Sequence, residues 1–181
     1  DDPLKLYHIS GFQSINSSRY NPNKPGTFLS QAFGEKREIG SGSFGTVSAV
    51  KCLQTSKSYA VKQISKTING KYTEVHCHLK LPSHPNIVEF VDAWEEDEEV
   101  HIQLELCDRS LTDHCESKNG LTEDETWNVF VDMLNGLQHM HKNNMLHNDI
   151  KPENVFVATD GVFKIGDFGL VRDLVSFLKM E

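Results

Sequence analysis

The stretch HNDIKPEN at residues 147–154, followed by DFG at residues 167–169, decides the fold of this 181-residue chain. The first stretch has the pattern D-x-K-x-x-N, and an apolar hairpin pattern at residues 155–165 separates it from the second. A turn rich in Asp and Asn would explain either loop alone. Together, and in this order, they supply a carboxylate, a cation and oxygen ligands, which are the groups that phosphoryl transfer with Mg²⁺ requires.

A glycine-rich stretch lies upstream, where GSGSFGTV at residues 40–47 fits G-x-G-x-x-G-x-V. Glycines let backbone N–H groups approach phosphate oxygens without a Cβ in the way. A dinucleotide-binding turn uses the same spacing, but there a helix follows, with an acidic residue about 20 positions later. Here a strand pattern follows and the corresponding position is near Lys62. The context favours a phosphate-covering hairpin, and a plain glycine-rich β-turn is the alternative.

Lys62 ends the apolar strand pattern YAVK at residues 59–62, and Glu74 lies on the helix pattern that follows. An unpaired ammonium among apolar residues is costly, so Lys62 needs an anion, and Glu74 can supply one. Such a pair would fix the lysine against nucleotide phosphates. The alternative for either residue taken alone is a solvated side chain.

Apolar periodicity predicts an α+β fold in which a sheet with one helix precedes a mainly helical part. The capping box at Thr122–Glu125 begins a long amphipathic helix that we predict over residues 123–142. Residues 1–32 are predicted to be an extended flank, with the folded unit starting near Phe28. The remaining predictions are strands within residues 35–64, 87–94 and 100–106, a short helix over 71–81, and a solvated acidic hairpin tip at 95–99.

The amino-acid composition argues against several classes of function. The formal net charge of −8 argues against a surface that wraps nucleic acid. Four cysteines without a C-x-x-C pair fit free thiols in a reducing compartment, and ligands two apart on a helix, as in HCH at residues 76–78, disfavour zinc. Neither a leader nor an apolar stretch long enough to span a membrane is predicted, and the chain lacks an initiator Met, as a fragment would.

As a set, these motifs resemble the eukaryotic protein kinases from about Phe33 to Leu174. The resemblance implies a protein-kinase-like fold, with a five-stranded antiparallel N-lobe plus one helix over residues 33–106 and a partial, mainly helical C-lobe over 107–181. It also implies ATP and Mg²⁺ as cofactors. By that resemblance, ATP would contact Ile39, Gly40, Gly42, Gly45, Val47, Ala60, Lys62, Glu74, Glu105 and Cys107, Leu104 would be the gatekeeper, Asp149 and Lys151 would be catalytic, and Asn154 and Asp167 would bind Mg²⁺.

Finer features are similar to the Wee/Myt branch, the inhibitory kinases that phosphorylate cyclin-dependent kinases. They are the segment from Asn21 to Phe33 before the domain, AWEE at residues 93–96, ELC at 105–107 and the segment 110–116. Within the branch the similarity is greatest to the membrane-associated, tyrosine- and threonine-specific kind. It implies a cyclin-dependent kinase as substrate and an intracellular location, in nucleus or cytoplasm, with membrane association by resemblance only. The alternatives are a translation initiation factor kinase and a non-catalytic nucleotide-binding module.

Two departures from the kinase pattern lead to further expectations. Asn148 stands where most kinases have an arginine that meets a phosphorylated activation loop, so activation by loop phosphorylation is not expected. The chain also ends soon after the DFG stretch, before the helices that pack beneath the catalytic loop in kinases. We therefore expect exposed apolar faces on helix 123–142 and hairpin 155–165, and weak or absent phosphate transfer by this chain.

Overall fold

The computed structural model describes residues 20–21, 23–42, 45–68 and 72–177. The chain divides into two compact units. The first contains the described residues up to Tyr72 together with Phe90–Leu106, and the second contains Thr73–Glu89 and the chain from Cys107 onwards. The predicted domain limits at residues 32 and 106 stay predictions.

The first unit is built on a five-stranded antiparallel sheet, as predicted. Its strands are β1 (Phe33–Gly42), β2 (Gly45–Cys52), β3 (Ser58–Ser65), β4 (Phe90–Glu96) and β5 (Glu99–Glu105), in the order β1-β2-β3-β5-β4. Because side chains alternate across a strand, Ala60 and Lys62 of β3 lie on one face of the sheet. Tyr59 and Val61 lie on the other face, where they belong to a buried apolar cluster.

That cluster is covered by a short helix, α1 (Phe28–Ala32), which begins after the N-cap Thr27. Phe28 is 1% exposed, and its ring packs edge-on against Trp94 with the centroids 5.0 Å apart. The cluster also contains Ala32, Phe33, Val50, Cys52, Tyr59 and Val61. Residues 28–32 are therefore helical, where the sequence predicted an extended chain, because the aromatic side chains of the sheet provide a surface for them to pack on.

Two glutamates at the tip of the β4–β5 hairpin are buried, so the prediction of a solvated acidic tip is wrong for them. Glu96 accepts hydrogen bonds from the backbone N–H groups of Phe28 (2.6 Å) and Leu29 (3.1 Å), which are donors that the first turn of α1 leaves unpaired. Glu95 accepts one from the Tyr72 hydroxyl at 2.6 Å. Burial raises the pKa of Glu96, and hydrogen bonds from α1 oppose that rise. The partners lie far away in sequence, which is why local composition did not reveal this burial.

His101 of β5 lies beneath the same layer. It is buried, and its ring stacks on Trp94 with the centroids 5.1 Å apart. Its Nε2 lies 3.8 Å from the Glu96 carboxylate and 3.6 Å from that of Glu99. Burial, assisted by the positive charges of Lys36 and Lys66, lowers the pKa of His101 from 6.5 to about 4. The ring is therefore neutral at pH 7.

This buried histidine predicts acid sensitivity. Between pH 7 and 5 the unfolded chain protonates His101 while the folded chain does not, so the free energy of unfolding falls by about 2 kcal/mol on account of this residue. The raised pKa of Glu96 acts in the opposite direction, because the folded state then takes up a proton first. Urea unfolding at the two pH values, in wild type and His101→Gln, measures the difference. In His141→Gln, which changes an exposed histidine, the full pH dependence should remain, and the same dependence in His101→Gln would contradict the prediction.

The second unit contains the helices α2 (Thr73–Lys80), α3 (Leu111–Lys118), α4 (Glu123–Lys142) and α5 (Leu174–Phe177). Capping boxes begin two of them: Ser110 with Asp113 for α3, and Thr122 with Glu125 for α4. The α4 box was predicted and is confirmed. The short strands are β6 (Arg109–Ser110), β7 (Met145–Leu146), β8 (Val155–Val157), β9 (Phe163–Ile165) and β10 (Arg172–Asp173).

One face of α4 packs on the hairpin formed by β8 and β9. Gly136 approaches it so closely that a Cβ there would lie 2.8 Å from the Asn86 carbonyl oxygen and 2.9 Å from Ile165 Cδ1. Apolar residues of the hairpin are buried, so the expectation of an exposed hairpin face is wrong. The helix does expose a large apolar face, which consists of Trp127, Phe130, Val131 and Leu134. None of the described helices is long and apolar enough to cross a membrane.

Candidate active site

The catalytic-loop candidate at residues 147–154 brings three predicted residues into direct contact. Asp149 Oδ2 accepts a hydrogen bond from Asn154 Nδ2 at 2.8 Å and pairs with Lys151 Nζ, also at 2.8 Å. The Asn154 amide donates to the Asp149 carbonyl oxygen as well, at 2.9 Å. A 3₁₀ turn, Pro152–Asn154, folds the chain back so that these side chains meet. Asp149, Lys151 and Asn154 therefore form one hydrogen-bonded cluster.

His147 joins this loop to the segment that carries Asp167. Its Nε2 lies 2.9 Å from the Gly166 carbonyl oxygen, and its Nδ1 accepts a hydrogen bond from the backbone N–H of Asp149 at 3.3 Å. This pattern requires the neutral tautomer with the proton on Nε2, and burial lowers the pKa of His147 accordingly. A backbone bond from Gly166 N–H to the Asn154 carbonyl oxygen makes a second link, at 2.9 Å. Gly166, the residue before Asp167, is thereby joined to the catalytic loop at two points.

The DFG stretch has a constrained backbone and a buried centre. Asp167 adopts a left-handed conformation with φ of 57°, which is uncommon for a residue other than glycine. Phe168 is fully buried, stacked on His78 of α2 with centroids 4.2 Å apart and meeting His147 edge-on at 5.7 Å. Because Phe168 is anchored in this way, the backbone of its neighbour Asp167 is held in place as well.

The charges in the cluster keep Asp149 ionised. The hydrogen bond from Lys151 lowers the pKa of Asp149, with a smaller contribution from Asn154. The same contact with Asp149 raises the pKa of Lys151. At neutral pH the site therefore holds a carboxylate and an ammonium side by side, the first able to accept a proton and the second able to bind an anion.

The donor set also fits a magnesium ion. Mg²⁺ prefers oxygen ligands from one or two side chains together with phosphate oxygens and water. The Asn154 amide nitrogen is directed at Asp149, which leaves its oxygen without a hydrogen bond among the described residues. The Asp167 carboxylate would add the charged ligand. Asn154 and Asp167 are thus compatible with the metal role predicted for them.

The glycine-rich stretch lies at the adjoining ends of β1 and β2, with Gly40 opposite Val47 and Gly42 opposite Gly45. Gly45 has φ of 125°, and a Cβ there would lie 2.0 Å from the Gln63 carbonyl oxygen, so the fold itself requires glycine at this position. A Cβ on Gly40 or Gly42 would meet nothing within 4 Å. Those two leave space that a ligand can use. The positions between Gly42 and Gly45 lie outside the described residues.

The sheet of the first unit brings together most of the predicted nucleotide-binding residues. Lys62 lies between Val47 and Ile102 in one row, and the next row on that face is Ala49, Ala60 and Leu104. Lys62 is buried, with 6% exposed. Glu105 pairs with Tyr59 at the end of β5, and Ile39 is exposed on β1. An ammonium in this apolar row is consistent with the predicted phosphate contact.

Glu74 and Cys107 belong to the second unit. Glu74 is buried on α2, in the first turn of that helix, and Cys107 is half-buried just before β6. The predicted pairing of Lys62 with Glu74, and the meeting of residues 62, 74, 149, 154 and 167 around one triphosphate, stay predictions.

Sequence reasoning missed three contacts around the DFG stretch. They are the stack of His78 on Phe168, a hydrogen bond from the Asn148 amide to the Leu170 carbonyl oxygen at 3.1 Å, and an ion pair between Lys80 and Asp173. The sequence indicated only that His78 lies on a helix. The other two contacts join residues that are far apart in sequence, and no pattern of residue spacing predicts such contacts.

A profile of the protein kinase domain matches residues 33–180. The chain belongs to the protein kinase family. The kinase resemblance and the α+β kinase fold predicted from the motifs are therefore confirmed.

The sequence of this kinase domain is similar to those of curated kinases of the Wee/Myt branch. The membrane-associated tyrosine- and threonine-specific cdc2-inhibitory kinase wee-1.1 of Caenorhabditis elegans is 45% identical over 177 residues, which is 97% of this chain and 38% of the relative. The corresponding wee-1.3 kinase of that species is 45% identical, over 91% of the chain and 25% of the relative. The Drosophila melanogaster cdc2-inhibitory kinase is 33% identical, over 80% and 28%. The chain thus spans well under half of the relatives it matches, and the predicted Wee/Myt resemblance is confirmed.

Proposed function

We propose that this kinase domain transfers the γ-phosphate of ATP to a tyrosine or threonine hydroxyl of a cyclin-dependent kinase and so restrains entry into mitosis. The observation that carries the proposal is the contact of Asp149 with Lys151 and Asn154, beside the segment that holds Asp167. The names of the relatives, cdc2-inhibitory kinases, support the substrate. Identities of up to 45% to these proteins favour it over a translation initiation factor kinase.

Each group in the cluster has a proposed role. Asp149 accepts the proton of the attacking hydroxyl, since its carboxylate is ionised and close to the loop surface. Lys151 stays charged beside it and binds an oxygen of the transferring phosphate. Asn154 and Asp167 would hold Mg²⁺. When bound, ATP supplies the phosphoryl group and Mg²⁺ neutralises its charge.

The first unit has a binding role in this proposal. Gly40, Gly42 and Gly45 cover the phosphates, and Lys62 contacts them and pairs with Glu74. Ile39, Val47 and Ala60 line the adenine site, where backbone groups of Glu105 and Cys107 make the polar contacts. An intracellular location goes with the proposed substrate, and the relatives named membrane-associated make attachment of a longer protein part of the same proposal.

Titration with Mg·ATP tests the binding half of the proposal. Lys62→Ala removes a charged contact to phosphate, so we expect the affinity to fall about 10- to 100-fold. Lys57→Ala, which changes an exposed lysine just before the strand that carries Lys62, is the matched control and should bind like wild type. Absence of Mg·ATP binding in wild type, or equal affinities for the two variants, would refute the assignment of Lys62.

A further inference from the structure

The segment that follows Asp167 is contacted along its length by α2. His78 stacks on Phe168, and Cys77 Sγ lies 4.0 Å from the Val171 carbonyl oxygen. At the last turn of the helix, Lys80 Nζ forms an ion pair with Asp173 Oδ2 at 2.5 Å. Three positions of the segment, Phe168, Val171 and Asp173, therefore contact the helix that carries Glu74.

The same segment is fixed on its other side by the chain around the catalytic loop. β10 pairs with β7, which places Arg172 opposite Leu146 and Asp173 opposite Met145. The N–H of Leu174 donates to the Asn144 carbonyl oxygen at 2.9 Å, and the Asn148 amide donates to that of Leu170. A displacement of residues 170–174 would therefore disturb contacts with both α2 and the catalytic loop.

Lys80 and Asp173 are the charged pair in this arrangement. The two residues are 93 positions apart in sequence, and the Asp173 side chain is 14% exposed while that of Lys80 is 54% exposed. Asp173 Oδ1 also accepts a hydrogen bond from the Val175 N–H at 3.0 Å, so both oxygens of its carboxylate have partners. Exposed ion pairs contribute little to global stability, so the consequence of this one is positional. It fixes the end of α2 to β10.

We propose that Lys80 and Asp173 are positioning residues that couple α2 to the segment after DFG. The proposal rests on the proposed function, since it concerns the placement of Glu74 and Asp167 for nucleotide and Mg²⁺. Loss of the pair leaves the contacts of His78 with Phe168 and of Cys77 with Val171, but it loosens the last turn of α2 from β10 and so lets the two shift relative to each other. The Asp167 carboxylate then spends less time where it would bind the metal, while the apolar adenine site of the first unit is unchanged.

Hydrogen exchange tests the coupling without any ligand. In Lys80→Gln and Asp173→Asn we expect the amide of Leu174 to exchange three- to tenfold faster than in wild type, and the double variant to add no further increase, because each change breaks the same contact. Lys80→Arg should restore the wild-type rate. Lys118→Gln removes a comparable pair with Glu125 and is the control, with no effect expected on Leu174. Additive effects of the two single changes, or no effect of either, would overturn the coupling.

A second measurement separates a positioning role from a purely structural one. ATP affinity is measured for each variant with and without Mg²⁺. Mg²⁺ is expected to raise the ATP affinity of the wild type. In Lys80→Gln and Asp173→Asn we expect this Mg²⁺-dependent increase to be at least threefold smaller, with little change in the ATP affinity measured without metal. An unchanged increase would refute the positioning role. A wild-type chain that binds no Mg·ATP would refute the proposed function, while the exchange experiment would still decide whether α2 and β10 are coupled.

Discussion

Asp149→Asn is expected to lower the rate of phosphoryl transfer 100- to 10,000-fold while leaving the affinity for Mg·ATP within about threefold of wild type. Asparagine has the shape of aspartate, and its amide oxygen can still accept the hydrogen bonds from Lys151 and Asn154 that the structure shows. It cannot take up the hydroxyl proton. The loop therefore keeps its geometry and loses the base.

Single-turnover transfer to a cyclin-dependent kinase peptide is the measurement, with Mg·ATP affinity determined on the same preparations. Asp160→Asn is the matched control, because Asp160 is an exposed turn residue whose Oδ1 accepts a hydrogen bond from the N–H of Val162, two positions further on. A residual rate within tenfold of wild type would show that Asp149 is not the base. Weak transfer, as expected of this chain, is still measurable in a single turnover. A wild-type chain that binds Mg·ATP and transfers nothing, while a longer protein that contains it also transfers nothing, would favour the non-catalytic nucleotide-binding module.

The catalytic loop was predictable because its chemistry is local. Asp149, Lys151 and Asn154 lie within six positions, and a 3₁₀ turn is enough to bring them together. The same holds for the capping box of α4, whose partners are three residues apart. A motif whose contacts join residues close in sequence can be predicted without knowledge of the rest of the fold.

Contacts between distant segments could not be predicted in this way. Glu96 was expected to be solvated because its neighbours are acidic, yet 67 and 68 positions separate it from the N–H groups that it binds. The pair of Lys80 and Asp173 has the same character. Periodicity also predicted that α4 is amphipathic, but it could not say that Trp127 and Phe130 remain exposed while Gly136 makes the close contact. Which face is covered depends on partners that the helix sequence does not contain.

The largest effect on stability is expected from a substitution in α1, which covers the aromatic cluster of the first unit. Phe28 is buried between Trp94 and Phe33, with ring centroids 5.0 Å and 6.2 Å away, and Tyr20 lies beyond it at 6.4 Å. Phe28→Ala would leave a cavity in this aromatic cluster. Removing a buried phenylalanine costs about 3–5 kcal/mol of unfolding free energy, since the lost transfer energy and the cavity both contribute.

Fluorescence of Trp94 during urea unfolding measures this effect. The chain has two tryptophans, so a Trp127→Phe background leaves Trp94 as the single reporter of the first unit. Phe130→Ala is the matched control, because the same truncation at a half-exposed position on α4 removes few contacts and should cost less than about 1 kcal/mol. If residues 28–32 were an extended flank, Phe28→Ala would cost no more than this control. A loss of several kcal/mol would instead make the segment before β1 part of the folded first unit, because only a packed side chain leaves a cavity when it is removed.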